Sequence, residues 1–209
     1  MRPRVDFFYD FSCPYAYLAH TEVEAVCDKA GAELVWKPFL LGGVFKAIGS
    51  AGPQMPPAKA RHNLLDMYRW AAHLGVPLRM PPGHPNRTVL ALRATLAAGA
   101  DLARASKAMY RAYWVDALDI SEPSVVRSAL DGVGLDGAAL LARAEMPEIK
   151  DELRKRTDEA IAVGVFGAPT FLVRTAGAPD GDLFWGQDRM MFVDKALAGW
   201  RPPPPGAGL

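Results

Sequence analysis

The sequence predicts an α/β domain that is interrupted by an all-helical insertion. Three observations lead to this prediction: a strand–helix–strand pattern near the start, a central block of helical segments, and a return of strand-like residues near the end. With 209 residues, 50% of them hydrophobic, the chain can bury a substantial core. We expect the α/β domain to comprise residues 1–57 and 165–200. The helical insertion is expected to comprise residues 58–164, and residues 201–209 are expected to form a flexible tail.

The strand–helix–strand unit begins with a short β-prone run at Val5–Tyr9. A helix is expected from Pro14 to about Lys29, because the first helical position does not need the N–H that proline lacks. A second strand is expected at Glu33–Pro38. Turns that lead from a strand into a helix are where such sheets place ligands, so the turn before Pro14 is a candidate site.

The central block shows little strand character and is divided by proline and glycine breaks. Helices are predicted over Ala58–Leu74, Thr88–Ala98, Leu102–Leu118, Pro123–Gly132, Asp136–Ala144 and Pro147–Val163. Because these segments follow one another without an intervening strand, we interpret the block as an insertion made only of helices.

Strand character returns at Thr170–Arg174 and, after a turn rich in Gly, Pro and Asp, at Leu183–Trp185. A final helix is predicted over about Arg189–Ala198. The sequence then ends in "RPPPPGAGL", which is too similar to polyproline to pack as a helix and is expected to be frayed.

The composition argues against several classes of function. The 24 Lys and Arg residues are balanced by 23 Asp and Glu residues, so no positive field is available to attract nucleic acid. No stretch is apolar for long enough to span a membrane, and the first residues do not resemble a signal peptide, which favours the cytoplasm. The four histidines and two cysteines lack the spacing of metal ligands, so no metal site is expected.

The two cysteines, Cys13 and Cys27, receive different interpretations. They lie about 20 Å apart along the predicted helix, which is too far for a disulfide, and Cys27 is expected to fill the core. Cys13 directly precedes Pro14, at a helix start whose unpaired amides and dipole can lower a thiol pKa below about 8.5. Position alone leaves two alternatives for Cys13: a thiolate or thiolate-binding residue, and a small buried cap.

The segment "GVFGAPTF", Gly164–Phe171, leads into the third predicted strand. Pro169 cannot donate to a sheet, so it belongs at the first position of a strand or in a special turn. A cis Ala168–Pro169 bond would turn the backbone groups of Ala168 toward a neighbouring loop. The local sequence does not decide between cis and trans.

Four segments, "DFSCPYAYLA", "RWAAHLGVPL", "GVFGAPTF" and "FWGQDRM", occur in an order that resembles a known family. Together they resemble the 2-hydroxychromene-2-carboxylate isomerase family, which is related to kappa-class glutathione transferases, and the resemblance extends to the proline-rich tail. It implies a thioredoxin-like fold with a large all-helical insertion, of the DsbA and kappa glutathione transferase type. It also implies glutathione as cofactor, a homodimer, and a role in aromatic catabolism.

The resemblance places Cys13 where the family usually has a serine, while Ser12 keeps a hydroxyl one residue earlier. It implies Cys13 and Ser12 as catalytic residues, and Cys13 as a contact of glutathione. Cys13 could donate its S–H to the glutathione thiolate or form a mixed disulfide with it. Related disulfide oxidoreductases carry CxxC, whereas this chain reads "CPYA" with Ala16 in the last position, so it cannot run a dithiol cycle within the chain.

Further glutathione contacts are implied at the third and fourth motifs. In relatives the backbone at the positions of Ala168 and Pro169 pairs with the cysteinyl unit of glutathione, and Gln187 and Asp188 occupy positions that hold its γ-glutamyl end. A carboxylate such as that of Asp188 can accept hydrogen bonds from the glutamyl ammonium. The alternatives are a plain helix cap for Asp188 and a solvated loop residue for Gln187.

The implied substrate carries a carboxylate, which needs cationic or amide donors opposite the thiol. Two loops, "FKAIGSAGP" and "PGHPNR", offer such groups, and Lys46 and Asn86 are preferred because they flank Gly and Pro turns that could face a cleft. The other candidates there are Ser50, His84 and Arg87. The alternative for each of these residues is a solvated surface side chain.

The resemblance therefore implies a glutathione-dependent isomerase of an unsaturated aromatic carboxylate, acting by reversible thiolate addition, bond rotation and elimination. One alternative is a kappa-like glutathione transferase, or a monothiol disulfide oxidoreductase that uses Cys13. Another, from a different class, is a non-catalytic module that binds a thiol peptide.

Overall fold

One mixed β-sheet forms the centre of the molecule. The computed structural model describes residues 2–50, 52 and 55–202. Its strands run in the order β2-β1-β3-β4, with bounds β1 Arg4–Tyr9, β2 Glu33–Pro38, β3 Thr170–Thr175 and β4 Ala178–Trp185. β1 pairs in parallel with β2 and antiparallel with β3, and β4 is antiparallel to β3. This is the α/β arrangement that the sequence predicts.

The helices follow the predicted order. Their bounds are α1 Pro14–Lys29, α2 Leu41–Ala47, α3 Pro57–Leu74, α4 Val89–Ala97, α5 Leu102–Tyr110, α6 Pro123–Asp131, α7 Gly137–Ala144, α8 Pro147–Ala162 and α9 Met190–Leu197. Helices α3 to α8 lie in sequence between β2 and β3 without an intervening strand. The last seven residues of the proline-rich tail lie outside the described residues.

The sequence-based prediction differs from the structure at three elements. β4 begins at Ala178 rather than Leu183, because Ala178 pairs with Thr175 and Asp182 pairs with Val173, with a register shift between the two pairs. The helix predicted over Leu102–Leu118 ends at Tyr110 and continues to Val115 as a wider π-helical turn. Helix α2 is absent from the sequence-based prediction.

Helix α2 depends on contacts from elsewhere in the chain. Its sequence, "LGGVFKA", is short and contains two poor helix formers, which explains why no periodicity predicts it. The backbone N–H of Leu41 donates to Asp10 Oδ2 over 2.9 Å, and that of Leu40 donates to Thr157 Oγ1 over 3.1 Å. Tertiary hydrogen bonds therefore hold the start of this helix.

The sheet is covered on both faces. On one face, Phe7 of β1 stacks on Phe171 of β3 with ring centroids 5.4 Å apart, under α1 and α9. On the other face, Phe8 and Leu172 pack with α2 and α8. Two buried layers thus fix the strand ends at which β1 leads into α1.

The helical segment is anchored directly to the turn after β1. Trp114, which is fully buried in the π-helical turn, donates its indole N–H to the carbonyl oxygen of Phe11 over 2.8 Å. An ion pair of 2.7 Å between Lys37 of β2 and Glu159 of α8 adds a second connection. None of the described helices is both long enough and apolar enough to cross a bilayer.

Candidate active site

Cys13 lies at the junction between β1 and α1, where the sequence predicts it. It is the residue that caps the amino-terminal end of α1, with extended backbone, and it is 9% exposed. Its Sγ–H donates to the carbonyl oxygen of Ala168 over 3.0 Å. The Ala168–Pro169 bond, which the local sequence leaves undecided, is cis, and this cis-proline loop faces the thiol.

The electrostatics of Cys13 differ from the sequence-based expectation. Burial raises the pKa of the Cys13 thiol to about 12, because removing the sulfur from water disfavours the thiolate. Backbone N–H groups of Ala16 and Tyr15 act in the opposite direction, as expected for a helix start, and the nearby Asp10 charge raises the pKa further. The prediction of a lowered pKa was therefore wrong in this structure, because desolvation exceeds the effect of the helix amides. At neutral pH Cys13 is a neutral S–H donor.

Asp10 organises the turn that carries Cys13. This fully buried carboxylate accepts hydrogen bonds from the Ser12 backbone N–H (3.0 Å) and the Ser12 hydroxyl (3.1 Å) through Oδ1, and from the Leu41 N–H through Oδ2. Burial raises the pKa of the Asp10 carboxyl, and these hydrogen bonds oppose the shift. The hydroxyl of Ser12 thus points to Asp10, where it stabilises the turn. Asp10 was not selected from the sequence as a candidate site residue.

The turn after β4 lies beside the cis-proline loop. Gly186 N–H donates to the carbonyl oxygen of Pro169 over 3.0 Å, and a 3₁₀ turn follows at Gln187–Arg189. Gln187 is 3% exposed, and its Oε1 has no hydrogen-bond partner among the described residues. The interpretation of Gln187 as a solvated loop residue was wrong, because this turn folds back toward α1. The Asp188 carboxylate is partly exposed and lies 3.2 Å from the Arg189 guanidinium.

Tyr15, which was not selected from the sequence, connects α1 to α3 next to the thiol. Its hydroxyl donates to Asn63 Oδ1 over 2.7 Å and to Asp66 Oδ2 over 3.1 Å. Burial and the neighbouring Asp66 carboxylate raise the pKa of Tyr15, with smaller contributions from Cys13 and Asp188. No local signal pairs Tyr15 with residues some 50 positions away, so only the fold shows this cluster.

The two preferred substrate-binding residues lie on different elements, and Lys46 lies in helix α2 and not in the loop that the sequence suggests. Lys46 is exposed on α2, whose start is fixed by Asp10. Asn86 lies between α3 and α4, where its backbone N–H donates to the Tyr113 hydroxyl (2.9 Å) and that hydroxyl donates to Asn86 Oδ1 (3.2 Å). Their role in substrate binding stays a prediction.

Comparison with known proteins is consistent with this geometry. Residues 4–198 match the family model of the DsbA-like thioredoxin domain. The chain belongs to the DsbA-like thioredoxin family. The expected thioredoxin-like fold is thereby confirmed.

Individual relatives show which proteins this DsbA-like protein is similar to. The 2-hydroxychromene-2-carboxylate isomerase of Sphingobium xenophagum is 31% identical, over 94% of this chain and 99% of its own length. Human glutathione S-transferase kappa 1 is 26% identical over 97% of this chain and 95% of its own. A solved structure of a 2-hydroxychromene-2-carboxylate isomerase aligns with a TM-score of 0.79 at 25% identity, covering 94% of this chain and 95% of that one. The resemblance stated from the four motifs is confirmed.

Proposed function

We propose that this protein is a glutathione-dependent isomerase of an unsaturated aromatic carboxylate, similar to 2-hydroxychromene-2-carboxylate isomerase. The observation that carries the proposal is the 3.0 Å contact between Cys13 Sγ and the Ala168 carbonyl. It sets a hydrogen-bond donor and the amino-terminal end of α1 against a cis-proline backbone, in a chain whose relatives of similar length include isomerases of this kind.

The residues around Cys13 fit glutathione. The extended backbone at Ala168 and Pro169 can pair with the cysteinyl unit, as a short strand would. The unpaired, buried Oε1 of Gln187 offers an acceptor, and the partly exposed carboxylate of Asp188 can accept from the glutamyl ammonium. Together these groups could hold both the centre and one end of the tripeptide.

Cys13 would act as a stabiliser of the thiolate and not as the nucleophile. When bound, glutathione supplies a thiolate that adds reversibly to a conjugated double bond, which permits rotation about the resulting single bond before elimination. The neutral thiol of Cys13 would move its S–H hydrogen bond from the Ala168 carbonyl to that thiolate, keeping its own proton. The N–H groups of Tyr15 and Ala16 would add to the positive potential there.

The substrate carboxylate would be held by Lys46 and Asn86. Lys46 supplies an exposed cation on α2, and Asn86 is fixed by two hydrogen bonds to Tyr113. Because Asn86 is already fixed by Tyr113, it can orient a substrate at little cost in ordering its own side chain, whereas Lys46 would contribute its charge.

A kappa-like glutathione transferase is the second candidate, favoured by the similarity to human glutathione S-transferase kappa 1 over nearly the whole chain. It would use the same thiolate site with a different electrophile. A monothiol reductase is less well supported, because it needs Cys13 as a thiolate and burial raises the pKa of that thiol to about 12.

Retention on immobilised glutathione, followed by assays of the retained protein, separates these functions. We expect retention and interconversion of 2-hydroxychromene-2-carboxylate and its open-chain isomer. Conjugation of electrophiles without isomerisation would identify a transferase. Binding without either reaction would contradict both enzyme proposals. Failure to bind glutathione would contradict the proposed glutathione site around Cys13.

A further inference from the structure

Two aromatic side chains stand exposed next to the candidate site. Trp185 at the end of β4 is 51% exposed and Phe166 is 44% exposed, and their ring centroids lie 5.0 Å apart with planes tilted by 56°. Large exposed aromatic groups are costly to leave in water, and a contiguous exposed apolar patch commonly marks a binding site.

Both rings are tied to the backbone that faces Cys13. Phe166 is followed by Gly167 and Ala168, and Trp185 is followed by Gly186, whose N–H donates to the carbonyl oxygen of Pro169 over 3.0 Å. The two turns are therefore held together, each with an aromatic residue directly before its glycine.

Gly167 allows the indole of Trp185 to lie against the cis-proline loop. A Cβ atom at position 167 would be 2.6 Å from Trp185 Nε1 and 3.2 Å from its Cε2, which is closer than side chains pack. The Trp185 ring therefore lies against Gly167. Gly167 directly precedes Ala168, whose carbonyl oxygen accepts the hydrogen bond from Cys13. The aromatic pair lies one residue from the backbone group that receives the thiol hydrogen bond.

We propose that Phe166 and Trp185 form a subsite for the aromatic ring of the substrate. This inference rests on the proposed function in naming an aryl-substituted unsaturated carboxylate as the occupant. A flat ring can stack on the indole or meet the phenyl edge in the tilted arrangements that aromatic groups prefer. The unsaturated side chain would then extend over Ala168 toward the thiol. The subsite would select aryl over alkyl substrates.

The test replaces each ring by an aliphatic side chain of similar apolar character. We expect Trp185→Leu and Phe166→Leu each to weaken binding of trans-cinnamate to the full-length protein about tenfold, measured by ligand-observed NMR titration. Binding of the alkyl analogue crotonate, and of glutathione, should change less than about twofold, and Trp185→Phe should recover most of the cinnamate affinity. The KM for the chromene substrate should rise in parallel.

The chain supplies a matched control in a second Trp–Phe pair. Phe192 and Trp200 stack at 5.6 Å on α9 and the segment after it, and Trp200 is also exposed. Trp200→Leu should leave cinnamate binding unchanged. Sedimentation velocity of all variants shows whether the Phe166–Trp185 pair instead contacts a second copy of the chain.

The outcomes separate the two proposals. If the wild type neither binds glutathione nor isomerises the chromene, while cinnamate binding still depends on both rings, the proposed function fails and the subsite stands. If isomerisation is present but cinnamate binding is unchanged in either Leu variant, the two-ring subsite is overturned. A dimer that dissociates in the Leu variants without loss of cinnamate affinity overturns it as well.

Discussion

The thiol of Cys13 is a neutral donor in this structure because burial outweighs two helix amides. If donation is its function, Cys13→Ala should lose most isomerase turnover, whereas Cys13→Ser should retain a substantial part, since a hydroxyl can donate in the same place. Steady-state assays of both variants check this. Cys27→Ala, which changes a buried thiol on the same helix, is the control and should keep wild-type turnover. Equal activity of Cys13→Ala and wild type would show that the backbone amides suffice.

The raised pKa of Cys13 also predicts slow chemistry at the thiol. Alkylation by iodoacetamide should stay slow through about pH 9, where an exposed cysteine reacts readily as its thiolate. Mass spectrometry of residue 13 as a function of pH measures this rate. An apparent pKa below the free value of about 8.5 would restore the nucleophile interpretation.

His20 on α1 makes the fold sensitive to acid. Its Nδ1 is hydrogen bonded to the Tyr17 carbonyl, its ring stacks on Tyr110 at 4.5 Å, and burial lowers the pKa of His20 from 6.5 to about 4. In the unfolded chain His20 takes up a proton below about pH 6.5, whereas in the native protein it does so only near pH 4. The free energy of unfolding therefore decreases as the pH falls through this range. Between about pH 7 and pH 5 we expect a loss of about 2 kcal/mol from this residue. Urea unfolding at the two pH values measures the total loss, which should be smaller by about this amount in His20→Phe. The His84 imidazole, whose pKa burial also lowers, contributes to the loss that remains.

At the scale of elements, Gly167 determines how closely the end of β4 can pack against the cis-proline loop. In Gly167→Ala the added Cβ would lie 2.6 Å from Trp185 Nε1, so the indole or the loop must move. We expect a loss of about 1 kcal/mol of stability, because the exposed ring can swing outward, and a larger relative loss of turnover, because the backbone facing Cys13 shifts. Thermal unfolding and isomerase assays of the same preparation compare the two effects.

Gly42 provides the control for this prediction. It lies in α2 without positive φ, and a Cβ added at this position would have no neighbouring atom within 4 Å. Gly42→Ala should therefore be neutral or stabilising by up to about 1 kcal/mol. If Gly167→Ala were as harmless as Gly42→Ala, the indole would not constrain the loop.

Elements also differ in how far local sequence predicts them. Local sequence patterns predict the bounds of β1, α1 and β2 to within one residue of those observed, because each element has a clear period or a proline at its start. Helix α2 is missed because its support comes from Asp10 and Thr157, which lie 31 and 117 positions from the residues they hold. The same holds for the extra residues of β4, whose pairing with β3 overrides local turn preference.

At the scale of the whole molecule, the helical segment positions the active-site turn through Trp114. Removing its N–H in Trp114→Phe leaves the carbonyl of Phe11 without its donor, which costs about 1–3 kcal/mol in addition to lost packing. Because Phe11 lies two residues before Cys13, we also expect faster alkylation of Cys13 as the turn loosens. Urea unfolding and the alkylation rate measure the two effects.

Tyr113→Phe is the matched variant for this prediction. It removes hydrogen bonds of a neighbouring buried ring to His84 and Asn86, and not to the turn after β1. It should reduce stability without changing the reactivity of Cys13. An equal increase in alkylation in both variants would show that general loosening of the helical segment, and not the Phe11 hydrogen bond, exposes the thiol.

The sequence by itself determined the order of strands and helices, the place of Cys13 before Pro14, and the resemblance of four motifs to a family. These features are encoded locally, in periodicity, helix starts and short motifs. The tertiary structure alone decided that Cys13 is protonated, that the Ser12 hydroxyl binds Asp10, that Gln187 is buried, and that two aromatic rings flank the loop. The physical reason is that desolvation and hydrogen bonding depend on groups far apart in the chain, such as Cys13 and Ala168, which are separated by 155 positions.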